Sequence, residues 1–262
     1  MKRRQLIRYL SSSLLTATAI TTSSSWQKSW SAQTNSDSLK IQWLGHTCFL
    51  FTGNGTTVLV NPFRPLGCTA GYPTPDVQAD LVLISSFLLD EGAIEDLSTN
   101  PKILTQPGDY RFNNIKFQGI SIPHDNEGGR RFGNNIAWRW TQGGITILHL
   151  GGASAPIGIE QKILMGSPDI VCIPVGGGPK AYNPEEAMQA IEVLKPRVII
   201  PTQYLTAAAD PSTCDLVPVD EFLALTQDMD IRKLDSNATT IRPRDLPQEG
   251  TLIRVFDKAL NS

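Results

Sequence analysis

Apolar residues along this chain fall mostly into short β-type runs punctuated by Gly, Pro and Asn. Residues 41–44 and 48–51 predict two strands separated by Gly45-His46. Residues 56–60 predict a third, entered through the hairpin signature Gly53-Asn54-Gly55. Asn61-Pro62-Phe63 ends that strand, and Pro65, Gly67, Gly71, Pro73 and Pro75 make residues 64–78 a loop. Residues 81–84 are continuously apolar, as in a strand buried on both faces. Residues 91–97 predict a short helix. A second group of strands opens near Ile103. Residues 111–122 read as one strand, with Ile115 and Phe117 on one face and Phe112, Ile120 and Ile122 on the other. Residues 135–141 and 144–150 form a pair joined by Gln142-Gly143, and residues 169–175 a buried strand running into Gly176-Gly177-Gly178.

Helical signals are fewer. Asn183 reads as an N-cap, with Pro184 first in the helix and Glu186 third, close to a capping box. Ala187, Ile191 and Leu194 then share one face. Residues 198–201 predict another strand, 219–226 a short helix and 251–256 a closing strand. Early antiparallel strands followed by strand–helix–strand units argue for α+β or mixed α/β layers. No linker splits residues 39–262.

Composition narrows the class. With 262 residues, 40% hydrophobic and 18% charged, the chain can bury a sizeable core, which excludes global disorder. A net charge of −2 gives no general attraction to phosphate backbones, so nucleic acid is not an expected partner. No apolar run reaches the roughly 18 residues of a membrane span. The first 31 residues differ from the rest: Lys2, Arg3, Arg4 and Arg8 head a weakly apolar, Ser/Thr-rich stretch without an acid. This is the layout of a cleaved export signal. Arg3-Arg4-Gln5-Leu6-Ile7-Arg8 resembles the twin-arginine motif. The expectation is export to a periplasm or a thylakoid lumen, cleavage near Ala32, and a polar lead-in over residues 32–38.

Several ordered motifs point to a family. Trp43-Leu44-Gly45-His46-Thr47-Cys48-Phe49-Leu50, Leu59-Val60-Asn61-Pro62-Phe63, Asp80-Leu81-Val82-Leu83-Ile84-Ser85, His149-Leu150-Gly151-Gly152 and Val198-Ile199-Ile200-Pro201-Thr202-Gln203-Tyr204 resemble metallo-β-lactamase-fold proteins. The branch they look most like is the L-ascorbate-6-phosphate lactonase-like hydrolases. The resemblance implies an α+β, four-layer αββα sandwich with a metal site at one sheet edge. It also implies two metal ions, usually zinc, held by a His-x-His-x-Asp-His loop, a further His, a bridging Asp and a last His. Such metals acidify a shared water and polarise the scissile group.

The chain departs from that pattern at most positions. Ser86 and Leu88 stand at the first two His positions, Asp90 remains, and Glu91 replaces the loop's last His. His124 takes the place of the separate His. Gly152 stands for the bridging Asp, Gln203 for the final His, and Asn61 for the Asp of Asp-Pro-Phe. Catalytic zinc normally has three protein ligands plus water. Tightly bound zinc is therefore not expected, and neither is any other resident cofactor. The alternative is one oxygen-loving divalent ion held weakly by Asp90, Glu91, His124 and Gln203.

Two functions follow. One is a non-catalytic binding protein or pseudoenzyme whose partner is a small ligand or a protein. The other is a metal-dependent hydrolase of the lactonase or phosphodiesterase kind with an unusual one-metal site. His46 and His149 read as hydrogen-bonded structural residues. Arg130 and Arg131 read as solvated charges or an anion grip near His124. Ser85 and Ser86 show no base partner in sequence. Cys48 and Cys172 read as buried thiols. Cys68 and Cys214 lie in loops that the fold would bring to the same edge. Two readings of them stand open: a disulfide in an oxidising compartment, or two free thiols.

Overall fold

The computed structural model describes residues 37–95, 97 and 99–257. The expected export signal lies outside these residues. Two sheets carry the fold. The first has the order β13-β1-β2-β3-β4-β5, built from β1 (Leu39–Gly45), β2 (Cys48–Gly53), β3 (Thr56–Val60), β4 (Leu81–Leu83), β5 (Lys102–Leu104) and β13 (Ala238–Ile241). The second has the order β12-β14-β11-β10-β9-β8-β7-β6. Its strands are β6 (Gly108–Phe112), β7 (Ile115–Pro123), β8 (Asn134–Gln142), β9 (Ile145–His149), β10 (Ile170–Pro174), β11 (Val198–Thr202), β12 (Asp230–Lys233) and β14 (Leu252–Val255).

The sheets meet face to face through aromatic side chains. Phe51 of β2 packs edge-on against Trp140 of β8 at 5.0 Å, and Phe49 packs against His149 of β9 at 5.9 Å. Both phenylalanines and both tryptophans of β8 are fully buried. Each large ring removes much apolar surface from water, which is the main driving force for the layered core. This is the expected α+β sandwich.

Helices α1 (Ile159–Met165), α2 (Pro184–Leu194) and α3 (Val219–Ala224) form one group: α1 packs on β7, and α2 touches both others. The Asn183 cap is closed in both directions: its side chain accepts from the Glu186 N–H at 2.8 Å, and Glu186 Oε2 accepts from the Asn183 N–H at 3.0 Å. Two orphan donors are satisfied at once. Ala187, Ala190, Ile191 and Leu194 face inward.

The helix expected over residues 91–97 is absent from the described part of that stretch, which forms turns. Gly92 explains why: a Cβ there would collide with the Ser86 carbonyl, so the chain doubles back instead of coiling. Residues 111–122 are not one strand. Asn113 and Asn114, at φ 45° and 64°, turn β6 into β7 as a two-residue hairpin.

Strand direction positions the site. β1 runs parallel to β3 because both are antiparallel to β2, and β3 and β4 are parallel. β7 runs parallel to β9 because both are antiparallel to β8, and β9, β10 and β11 are parallel. Seven strands therefore end toward one edge. Their exits carry His46, Asn61, Ser85, His124, Gly151-Gly152, Gly176 and Gln203. Loops at the carboxyl ends of parallel strands are where such folds place ligands.

Candidate functional site

The loop after β4 is tightly wound. Asn61 Oδ1 accepts from the Ser85 N–H at 2.9 Å and anchors its start. Leu88 O accepts from the N–H of Glu91 at 2.9 Å and of Gly92 at 2.8 Å, which closes it. This winding buries Glu91 completely and leaves Asp90 at the rim.

Glu91 sits at the centre. Its Oε2 accepts from Ser86 Oγ at 2.8 Å and lies 3.8 Å from His124 Nε2. A Cβ placed on Gly152 would collide with Glu91 Oε1 and fall 2.5 Å from His124 Nε2. The Glu91 carboxyl thus fills the space that a side chain at position 152 would need. Burial pushes that carboxyl up to about 7; the Asp90 charge adds to the rise, and Lys180 and the Ser86 hydroxyl oppose it. Ser86 therefore does have a carboxylate partner, which the sequence did not reveal.

Asp90 is held differently. Lys180 Nζ donates to Asp90 Oδ2, and His46 Nε2 lies 3.6 Å from the same oxygen. Burial alone would raise Asp90, but the His46 ring and the Lys180 ammonium bring it well below the usual carboxylate range. Lys180 was not foreseen. It lies 90 residues from Asp90 in the chain, in the loop between Gly176-Gly177-Gly178 and the α2 cap, and only folding brings the two together.

The remaining positions resolve as follows. Burial, together with the Lys180 charge, brings His124 down to about 4. Neither His124 nitrogen has a hydrogen-bond partner among the described residues, and the same holds for both amide atoms of Gln203, Glu91 Oε1 and Ser85 Oγ. Leu88 is half-buried and offers no donor atom. His149 is structural: Nε2 lies 3.0 Å from Thr47 O while Nδ1 accepts from the Gly151 N–H. Burial brings it down to about 4. Arg130 pairs with Glu127 at 3.8 Å in solvent, and Arg131 lies 4.8 Å over the Phe132 ring. Asp125, next to His124, accepts from the N–H groups of Glu127, Gly129, Arg131 and Phe132, which shapes the loop before β8.

Three of these positions keep costly backbone. His46, Asn61 and Gln203 have φ of 54°, 50° and 51°. For residues with a Cβ, that region costs on the order of 1–3 kcal/mol each. Such strain clusters where loop geometry serves a site.

Residues 40–203 match the family described as Beta-lactamase superfamily domain. The chain belongs to that family. Its relatives include a UPF0173 metal-dependent hydrolase of Thermococcus onnurineus, 28% identical over 66% of this chain and 89% of that one. Another, from Thermoplasma acidophilum, is 25% identical over 70% and 88%. A solved structure from Thermotoga maritima, named a Zn-dependent hydrolase of the metallo-β-lactamase superfamily, superposes with a TM-score of 0.66 at 28% identity. It covers 83% of this chain and 98% of its own. The metallo hydrolase Igni18 of Ignicoccus hospitalis, at TM-score 0.58 and 15% identity, shares the fold.

The implied metal can be tested against the donors present. Among the described residues, no group of three or more His, Cys, Asp or Glu side chains is arranged to hold a metal ion. An ammonium already occupies Asp90, and the Glu91 carboxyl is pressed against His124 where a bridging ligand would reach. Glu91 and His124 remain as a single carboxylate–imidazole pair, one donor short of the usual catalytic set. The donors do not fit a zinc pair.

The edge beside the site is tied covalently. Cys68 and Cys214 form a disulfide with Cα atoms 4.8 Å apart, within the normal range. Cys48 and Cys172 are buried and lie outside the disulfide.

Proposed function

We propose that this domain is a metal-free derivative of its family, a binding protein in which the Lys180 ammonium takes the place of a site cation. The carrying observation is the contact of Lys180 with Asp90, beside a Glu91–His124 pair that closes the remaining space. A cation supplied by the chain neutralises Asp90 without metal, and a fixed ammonium cannot activate water as a Lewis acid does. The unpartnered atoms of His124 and Gln203 support a polar ligand or ordered water here, because buried polar groups seldom stay unsatisfied.

The names of the relatives favour a second reading, a metal-dependent hydrolase with one hard cation at Asp90, Glu91, His124 and Gln203. That reading needs Lys180 to swing off Asp90. Metal analysis of protein purified without chelator separates the two. The binding reading expects less than about a tenth of an equivalent of zinc, manganese or magnesium after dialysis. One equivalent that survives dialysis, with hydrolysis of lactone or phosphodiester substrates, overturns it.

Export belongs to this proposal too. The half-buried Cys68–Cys214 bridge supports an oxidising compartment, as the Arg3-Arg4 head does. Sequencing the N-terminus of protein recovered from the host membrane-enclosed compartments tests it: a start near Ala32 or Gln33 is expected, and a start at Met1 overturns it.

A further inference from the structure

Beside the Ser86–Glu91 pair lies a cavity of about 470 Å³ between the β4 exit loop, the β5–β6 turn, β7 and the start of β8. It falls in the size range of small-molecule sites, about 300–1,000 Å³. From its lining we infer that it binds a neutral, hydroxyl-rich ligand with one apolar face, the chemistry of an uncharged sugar ring or cyclitol. This deepens the binding reading above and rests on it.

Three features of the lining carry the assignment. First, none of its residues is Asp, Glu, Lys, Arg or His. A charged ligand would lose its hydration there and meet no counter-charge, a cost that a neutral ligand avoids. Second, six lining residues carry neutral donor–acceptor groups: Ser85, Ser86, Thr105, Gln106, Ser121 and Asn134. A purely apolar ligand would leave such groups unpaired, which is penalised more than a made hydrogen bond rewards. Third, Phe87 and Phe132 both line the cavity, and Phe87 is 65% exposed. An aromatic ring left so open beside a polar cavity offers a platform for the C–H face of a ring that carries its hydroxyls on the edge. Leu88 adds apolar surface where a metal-binding His would have been polar.

The cavity does not stand apart from the older site. Ser86 lines it, and the same hydroxyl donates to Glu91. A ligand hydroxyl near Ser86 would be read by a side chain whose own proton is directed at Glu91. Ser86 Oγ also accepts from the Leu88 N–H at 3.4 Å, so a ligand hydroxyl would meet its remaining lone pair.

The test uses the folded, metal-analysed protein with amide-resolved NMR titration. The probes are methyl α-glucoside and myo-inositol as the two neutral sources, glucose 6-phosphate and glucuronate as charged counterparts, and cyclohexanol as the apolar control. The expected result is saturable shifts of the Ser85, Phe87, Gln106 and Asn134 amides with a neutral probe. Both charged forms should bind at least about tenfold more weakly. Phe87→Ala should weaken binding about fivefold or more with unchanged melting, since the ring is exposed. Preference for glucoside over inositol, or the reverse, identifies the source. The assignment is overturned if neither neutral probe shifts these amides, if a charged form or cyclohexanol binds as tightly, or if Phe87→Ala changes nothing. Neutral-probe binding by protein that holds a full equivalent of metal would overturn the metal-free reading alone. Metal-free protein that binds no neutral probe would overturn the cavity assignment alone.

Discussion

Two neighbouring regions of the same sheet edge are held in opposite ways. At the Cys68–Cys214 edge the chain is tied by a covalent bond and by backbone pairs: Gly71 N–H to Ala208 O at 2.6 Å and Asp210 N–H to Gly67 O at 2.9 Å. Tyr72 adds a hydroxyl bond to Thr206 Oγ1 at 2.8 Å. At the Asp90–Glu91–His124 cluster the backbone is closed by the Leu88 carbonyl, but the side chains are held by charges and a single hydroxyl, and several buried polar atoms lack partners among the described residues. The first region is order without chemistry. The second is chemistry kept in place by strain and by Lys180. The contrast shows that a strained polar site can sit beside loops that are fastened by other means.

The comparison breaks most visibly if the covalent tie is cut. Cys68→Ala with Cys214→Ala removes a cross-link spanning 146 residues. The chain-entropy model puts its contribution at up to about 5 kcal/mol. Urea unfolding should show a loss approaching this, with hydrogen exchange rising at Gly71 and Asp210 and not at Glu91. Equal loosening of both regions would mean that the cluster depends on the tie.

Lys180→Met tests the other region. It leaves Asp90 with only His46, and breaking a partly buried pair from one side should cost about 2 kcal/mol in urea unfolding. Adding Asp90→Asn should recover most of that loss. No recovery would place the role of Lys180 elsewhere.

Acidity sharpens the contrast further. His124 and His149 are held near 4 by burial, so between about pH 4.5 and 6.5 they are protonated only in the unfolded chain. Each therefore makes stability rise with pH. Glu91, raised to about 7, is protonated only in the folded chain over that range and makes stability fall with pH. Asp90, Lys180, His46 and Asp125 face these groups, and the two aspartates, held below the usual carboxylate range, stay ionised over this interval. Two protons against one leave a net rise with pH up to about pH 6.5, then a slight fall. Asp90, with its lowered value, adds stability that is lost only as pH falls below the ordinary carboxylate range. A flat stability profile from pH 4.5 to 6.5 would contradict this balance.

Glu91→Gln is the finest probe. It keeps an acceptor for Ser86 and removes the opposing titration. At neutral pH it should change stability by only about 1 kcal/mol or less, while making the rise at acid pH roughly twice as steep. An unchanged slope would show that Glu91 is already ionised in the fold.

Much of the fold was legible because its signals are local. The Asn54-Gly55 turn, the apolar run over residues 81–84 and the Asn183-Pro184-Glu186 cap each specify backbone over a few residues, and each appears where expected. Other elements carried weak or misleading local signals. β12 has four exposed residues, and so no inward face to read. Ile159 and Ile163 of α1 point outward, at 82% and 74% exposed, which hides its amphipathic pattern. The Asn113-Asn114 turn signal is masked by the apolar Phe112 and Ile115 on either side.

By itself the sequence determined most of the strand segments, the helix cap and the resemblance to the family. Those properties reside in local pattern and residue type. Only the tertiary structure decided what Ser86, Asp90, Glu91 and His124 do together. That Glu91 fills the space above Gly152, that Ser86 finds Glu91 while Lys180 finds Asp90, and that an uncharged cavity opens beside them are matters of through-space distance. Charges and hydrogen bonds act over a few ångströms in space, and the 90 residues of chain between Asp90 and Lys180 carry no mark of the contact they make when folded.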